Sequence, residues 1–184
     1  MTAAGRLLVA TPPMDDPNFE RSVVLLLQHD DDGAFGLVIS RPADDVTVVD
    51  DGTLSRWLTH ASTPRRLFEG GPVQQDSVIG LARVADTGAH SWTNEVALGL
   101  CTVDLESDAV NGLDCKELRL FVGYSGWGPS QLDGEIAAGH WFVVDASAAD
   151  PFDASPDTLW RRVLLRDPAH REWVANFPDD PALN

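Results

Sequence analysis

The chain predicts an α+β fold: a single domain on a curved, mostly antiparallel or mixed sheet, partly barrel-like, with flanking helices. Three observations carry this. Short apolar runs bounded by turn residues recur along the sequence, as in Arg6–Ala10, Val23–Leu27 and Leu118–Val122. Helical periodicity is confined to three or four short stretches between them. The alternation is too irregular for a doubly wound sheet of βαβ units. No repeat, low-complexity block or long linker divides residues 1–184, so one domain is expected. A chain of this size buries roughly 70% of its unfolded surface. Six Trp and seven Phe supply a core that needs neither metal nor disulfide.

Taken in order, Arg6–Ala10 reads as a strand ended by Thr11-Pro12-Pro13, because proline removes a ladder donor. A polar loop, Met14–Arg21, leads to a strand at Ser22–Gln28 whose continuous apolar run predicts burial on both faces. The turn His29–Gly33 and a third strand, Ala34–Ser40, complete an antiparallel hairpin. Asp44–Asp51 reads as loop or short edge strand. A helix starts at Thr53 as N-cap, places Leu54, Trp57 and Leu58 on one face and ends near His60. Arg66–Phe68 is extended, Ser77–Arg83 is a strand, and Ala85–Thr93 reads as loop.

Farther along, Val96–Leu100 reads as a short strand and Asp104–Asn111 as a weak helix ended by Gly112. Leu118–Val122 is a strand feeding Gly123–Pro129, the densest turn signal in the chain. Ser130 as N-cap with Asp133 at N3 opens a helix stopped by Gly139. His140–Asp145 is a strand, Asp150–Phe152 a turn, and Ser155-Pro156 opens a helix carrying Leu159, Trp160, Val163 and Leu164. Trp173 and Phe177 are expected to pack from a polar tail.

Charge restricts the partners. Thirteen Lys and Arg against 29 Asp and Glu give a net charge of -16, and Lys116 is the single lysine. Such a surface repels phosphate backbones and anionic membranes, so direct nucleic-acid binding and membrane association are not expected. The pairs Arg65-Arg66 and Arg161-Arg162 are too short to form a footprint. A basic protein partner or a cationic ligand is easier to accept. No secretory signal and no apolar run near the roughly 18 residues of a membrane helix is visible. Cys101 and Cys115 read as small hydrophobes in a reducing compartment, and the expected location is cytoplasmic.

Gly123–Gly128 is the most informative segment, because three glycines lie between a strand and a helix N-terminus that could offer N–H groups to an anion. Its order is G-x-x-G-x-G, not a dinucleotide fingerprint, and it lacks a P-loop lysine. A serine nucleophile elbow requires glycine two residues after Ser125, where Trp127 stands. The five histidines lack metal-binding spacing and the cysteines are not a C-x-x-C pair, so no zinc or other cofactor is expected. Asp30–Gly33 fails as a calcium loop, since Gln28 would hold the first ligand position.

Four blocks carry a resemblance. They are Gly5–Pro12 with Asp16-Pro17-Asn18-Phe19 and Ser22–Leu26; His29 with Gly33–Pro42; Glu69-Gly70-Gly71-Pro72-Val73; and Gly123–Leu132 with Glu135, Ile136 and Trp141. In this order the sequence resembles the YqgE/AlgH family of bacterial proteins, which spans nearly the whole chain. The resemblance implies a compact cytosolic α/β protein. It carries a label of transcriptional regulator and brings no catalytic mechanism. Ser40 stands where Asn is common in that family and Ser130 where Gly is frequent, and a His after the Gly-Gly-Pro block is missing.

The expected function is a non-catalytic binding or regulatory protein for a protein or small ligand. The alternatives are an enzyme acting on a small anionic substrate, with Ser125 and a histidine as parts, and a transcriptional regulator. The candidate binding surface is Asp16, Asn18, Phe19, Gly70, Gly71, Tyr124, Ser125, Gly126, Trp127 and Ser130, three polar or Gly-rich loops expected to share one cleft. Whether Trp127 is exposed decides between a recognition surface and a piece of core.

Overall fold

The structure, a computed structural model, describes residues 3–44, 52–84, 93–106 and 115–170. Nine strands are described: β1 Arg6–Ala10, β2 Val23–Asp30, β3 Gly33–Val38, β4 Phe68–Glu69, β5 Val73–Val84, β6 Thr93–Glu95, β7 Cys101–Val103, β8 Cys115–Trp127 and β9 Trp141–Asp145. Three helices accompany them: α1 Thr53–His60, α2 Gln131–Ala137 and α3 Leu159–Arg166. Short 3-10 turns at Asp150–Phe152 and Pro156–Thr158 lead into α3. The strands form one sheet in the order β6-β7-β5-β8-β3-β2-β1-β9, with β4 also paired to β8. Every pairing is antiparallel except β4 with β8.

The apolar run of β2 is buried on both faces, as its sequence predicts, and so is that of β1. Leu7, Val9, Leu25 and Leu27 join the main core, while Leu8, Ala10, Val24 and Leu26 join a second cluster on the other face. Each buried Leu or Val here contributes about 2 kcal/mol. The main core also gathers Phe68, Leu81 and Phe121 with α3 residues, from strands far apart in the sheet order. Those strands meet because the sheet curls into a half-barrel. Trp160 on α3 donates its indole N–H to Ala10 O at 2.8 Å, docking the helix onto β1. The third cluster packs Trp57 of α1 against Ala82, Leu118 and Leu120.

The middle of the sheet departs from a simple meander. β8 pairs β3 through Ser125–Trp127 and β4 through Phe121–Val122, while β5 lies along its other edge. The β4–β5 connection, Gly70-Gly71-Pro72, must therefore pass over β8. It passes close to the β8 backbone. A Cβ on Gly71 would lie 2.3 Å from the Tyr124 carbonyl carbon, one on Gly70 2.2 Å from Gly123 O, and one on Gly123 2.6 Å from Gly71 O. Residues Gln74–Ser77 of β5 bulge opposite Gly123, where the register shifts between Val73 and Val78.

Several local expectations change here. Gly123–Trp127 is the end of a long strand and not a turn, because Gly123 serves the crossing. Val96–Leu100 is not a strand but the connection between β6 and β7, with Leu98 and Gly99 at positive φ. The N-cap of α1 is Gly52 and not Thr53. Ser130 is the N-cap of α2 but makes no side-chain cap bond; its φ of 59° is a conformation natural to glycine. The Gln131 side chain accepts the Gly128 N–H at 3.1 Å in its place. Thr93 opens β6, and the rest of Ala85–Thr93 lies outside the described residues. So do residues 45–51, the expected helix beyond Glu106, Trp173 and Phe177.

Two glycine substitutions separate crossing from composition. Gly71→Ala is expected to destabilise the chain by more than about 3 kcal/mol or prevent folding, since backbone meets its Cβ. Gly134→Ala, in open space on α2, is expected to stabilise by about 0.5–1 kcal/mol. Urea denaturation of both variants checks the pair.

Candidate functional site

The first loop is a self-bonded turn. Asp16 Oδ1 accepts the Asn18 backbone N–H at 2.8 Å and its side-chain amide at 3.0 Å. The Arg41 guanidinium donates to the carbonyls of Pro17, Asn18 and Glu20, tying the loop to the end of the β3 segment. The neighbouring Ser40 hydroxyl accepts the Val23 N–H at 2.9 Å.

Phe19 then anchors this loop to the fourth block. Its ring stacks on Trp127 at 6.0 Å and meets Trp141 edge-on at 5.4 Å. One carboxylate organises the group. Glu135 Oε2 accepts both the Trp127 and the Trp141 indole N–H at 2.9 Å, and Oε1 accepts the Gln131 amide at 3.0 Å. Both indoles are thereby buried without an unmet donor.

The glycine loop meets the same strand two residues earlier. Ser125 is fully buried and its hydroxyl donates to Gly70 O at 3.1 Å, an oxygen that also accepts the Val38 N–H. Tyr124 is half-buried against Phe35, with ring centroids 5.0 Å apart. The three loops therefore meet, but as a packed joint and not as an open cleft. Ser125, Gly70 and Trp127 are buried, so Trp127, whose exposure the sequence leaves open, is a piece of core. Asn18, Gly126 and Ser130 are exposed, and Asp16, Phe19 and Gly71 are partly so. His29 Nδ1 accepts the Ala3 N–H at 3.1 Å, and its Nε2 lies 3.7 Å from Asp133 Oδ1. Among the described residues, no group of three His, Cys, Asp or Glu could hold a metal. Burial raises the thiol pKa of Cys101 and pushes that of Cys115 to about 11, so neither is a ready thiolate.

A second feature has no signature in the sequence. A cleft of about 700 Å³ opens between Ser40-Arg41-Pro42, the Pro64 and Arg66 segment, and Ala154–Thr158. Its walls come from three distant stretches and include Arg41, Arg66, Asp44 and Asp157, with Arg66 paired to Asp44 at 3.0 Å. Arg119 lies close to the same segments, wholly buried over the Phe68 ring at 4.1 Å and donating to Thr63 O at 2.7 Å. Burial brings its pKa down to about 10, against the opposing pull of Asp153 and Glu117. Asp153 is itself bound bidentately by Arg162, which holds its carboxyl below the ordinary range.

Two substitutions test these supports. Glu135→Ala is expected to cost about 2–4 kcal/mol, because two buried indole N–H groups lose their acceptor. Glu135→Gln, which keeps an oxygen there, costs about 1 kcal/mol in the same denaturation assay. The Asp153 pair stabilises the fold fully above the unfolded carboxyl value of 3.8, and the gain vanishes as pH falls through the lower folded value. Asp153→Asn is thus expected to be less stable than the parent by about 1 kcal/mol at pH 7, Arg162 being well exposed. The two melting curves should converge towards pH 2.

Comparison with known proteins places this architecture. The family model described as AlgH-like matches residues 7–169. A UPF0301 protein of Streptomyces avermitilis is 44% identical over 98% of this chain and 94% of its own length. One from Thermobifida fusca is 40% identical over 100% of this chain and 96% of its own. The crystal structure of a Corynebacterium diphtheriae protein superposes with a TM-score of 0.84 at 30% identity, covering 96% of this chain and 93% of that one. The solution structure of the AlgH protein from Pseudomonas aeruginosa gives 0.69 at 26% identity, covering 96% and 94%. With the fold, the four blocks and these matches in agreement, the chain belongs to the AlgH-like family, also known as YqgE/AlgH or UPF0301.

Proposed function

We propose that the chain is a non-catalytic binding protein of the bacterial cytosol, engaging a basic protein segment at the face where Asp16, Asn18 and Ser130 lie. The observation that carries this is the joint of Phe19, Trp127, Trp141 and Glu135. It holds two loops as one rigid body and leaves their polar tips in solvent. A surface ordered before contact loses little entropy on binding. The β2–β3 turn abuts the same strand end, since a Cβ on Gly33 would lie 2.2 Å from Trp127 O. Exposed Asp30, Asp31 and Asp32 therefore flank this face, and with the net charge of -16 they favour a cationic partner through steering. An enzyme built on Ser125 finds no support, because that hydroxyl is covered and already donates to Gly70.

The test is a paired capture from native lysate under increasing salt. The parent chain is expected to retain a basic protein that is released as salt rises. The Asn18→Arg, Ser130→Arg double variant is expected to lose that species while melting at the parent temperature. Equal recovery by both chains would place the partner elsewhere, and labelling of Ser125 by a serine-directed probe in the folded protein would overturn the non-catalytic reading.

A further inference from the structure

The half-barrel has an apolar opening that the face above does not use. The β6–β7 hairpin stands at one end of the sheet order and β1 near the other, yet the two approach each other. A Cβ on Gly5, just before β1, would lie 3.3 Å from Ala97 Cβ and 3.8 Å from the Leu98 side chain. The hairpin tip thus leans across the curl. Between this flap and the β2–β3 hairpin lies a cleft of about 560 Å³.

Its walls are Leu27, Phe35, Ile79 and Val96, all in or against the main core. Phe35, Ile79 and Val96 are only half-buried, so each presents apolar surface to the opening. Polar groups enter from both walls, Gln28 from β2 and two residues from the flap. Thr102 and Glu95 come from the flap, and Glu95 is the one charged side chain among the residues lining the cleft. The volume falls within the roughly 300–1,000 Å³ of small-molecule pockets, and because the cleft is wide open a bound molecule keeps part of its surface in water.

We propose that this cleft binds a small amphipathic molecule, its aliphatic body against Phe35, Ile79 and Val96 and a cationic head beside Glu95. The apolar wall supplies affinity through burial. The exposed carboxylate, within a chain of net charge -16, selects the sign of the head group and rejects a fatty acid or alkyl sulfate. This goes beyond the partner-binding face, which draws on other loops, and the two stand or fall separately.

Three octyl probes below their micelle concentrations decide it: octyltrimethylammonium, octyl glucoside and octyl sulfate, titrated into methyl-labelled protein and followed by NMR. The expected result is saturable shifts of the Leu27, Ile79 and Val96 methyls with the ammonium, binding more than about tenfold tighter than with the sulfate. Glu95→Gln, an exposed change, should weaken the ammonium about fivefold. Asp44→Asn, Asp157→Asn, which removes two exposed charges at the other cleft, should leave it unchanged. Val96→Trp should fill the cleft and abolish the shifts at Leu27 and Ile79. Shifts scattered over other methyls, or no saturation, would overturn the site. Equal binding of ammonium and sulfate, or a loss with the Asp44, Asp157 variant as large as with Glu95→Gln, would overturn the choice of a cationic head.

Discussion

The structure depends on one close backbone contact: the passage of Gly70-Gly71-Pro72 over Gly123–Ser125 of β8. Without side chains at these points, the chain can leave β4 on one edge of β8 and resume as β5 on the other. The strand is thereby gripped from both edges and from above. Gly70 O accepts from Val38 and Ser125 together, so the crossing also pins β3. A larger residue at Gly70 or Gly71 meets backbone and not a flexible side-chain end, which leaves no inexpensive adjustment.

Around this crossing the blocks that carry the family resemblance turn inward. The aromatic residues that look like a recognition patch in one dimension are a packed trio held by one carboxylate. Burying two indoles demands two acceptor positions, and Glu135 supplies both from a single oxygen. Much of the distinctive sequence in this chain is therefore architecture. The surfaces left for recognition are the loop tips this architecture fixes and the openings where the curled sheet fails to close.

The legible parts of the fold were those with a local cause. β1 to β3 follow from apolar runs ended by proline or glycine, and α3 from Leu159, Trp160, Val163 and Leu164 on one buried face. Gly139, at φ 81°, ends α2 where a left-handed residue is needed. What escaped reading has a non-local cause. Glycines in Gly123–Gly128 signal a turn by themselves, and only the segment around Gly71 explains why Gly123 sits inside a strand. Likewise Val96–Leu100 is apolar enough for a strand, yet Leu98 and Gly99 reverse the chain. Within the candidate surface, Asn18 and Ser130 are exposed, while Ser125 is hidden by a carbonyl 55 positions away. The two clefts draw walls from segments that share no motif.

The position of β8 has a consequence for how the molecule comes into being. This central strand lies between β5 and β3, but it is the eighth to leave the ribosome. The hairpin of β2 and β3 can pair early, whereas β5 must wait for its main neighbour. A nascent chain that stops before residue 115 holds two unjoined sheet fragments with open inner edges. Such edges invite pairing with other chains, so completing synthesis quickly, or shielding those edges meanwhile, matters more here than for a meander whose strands pair in the order they are made.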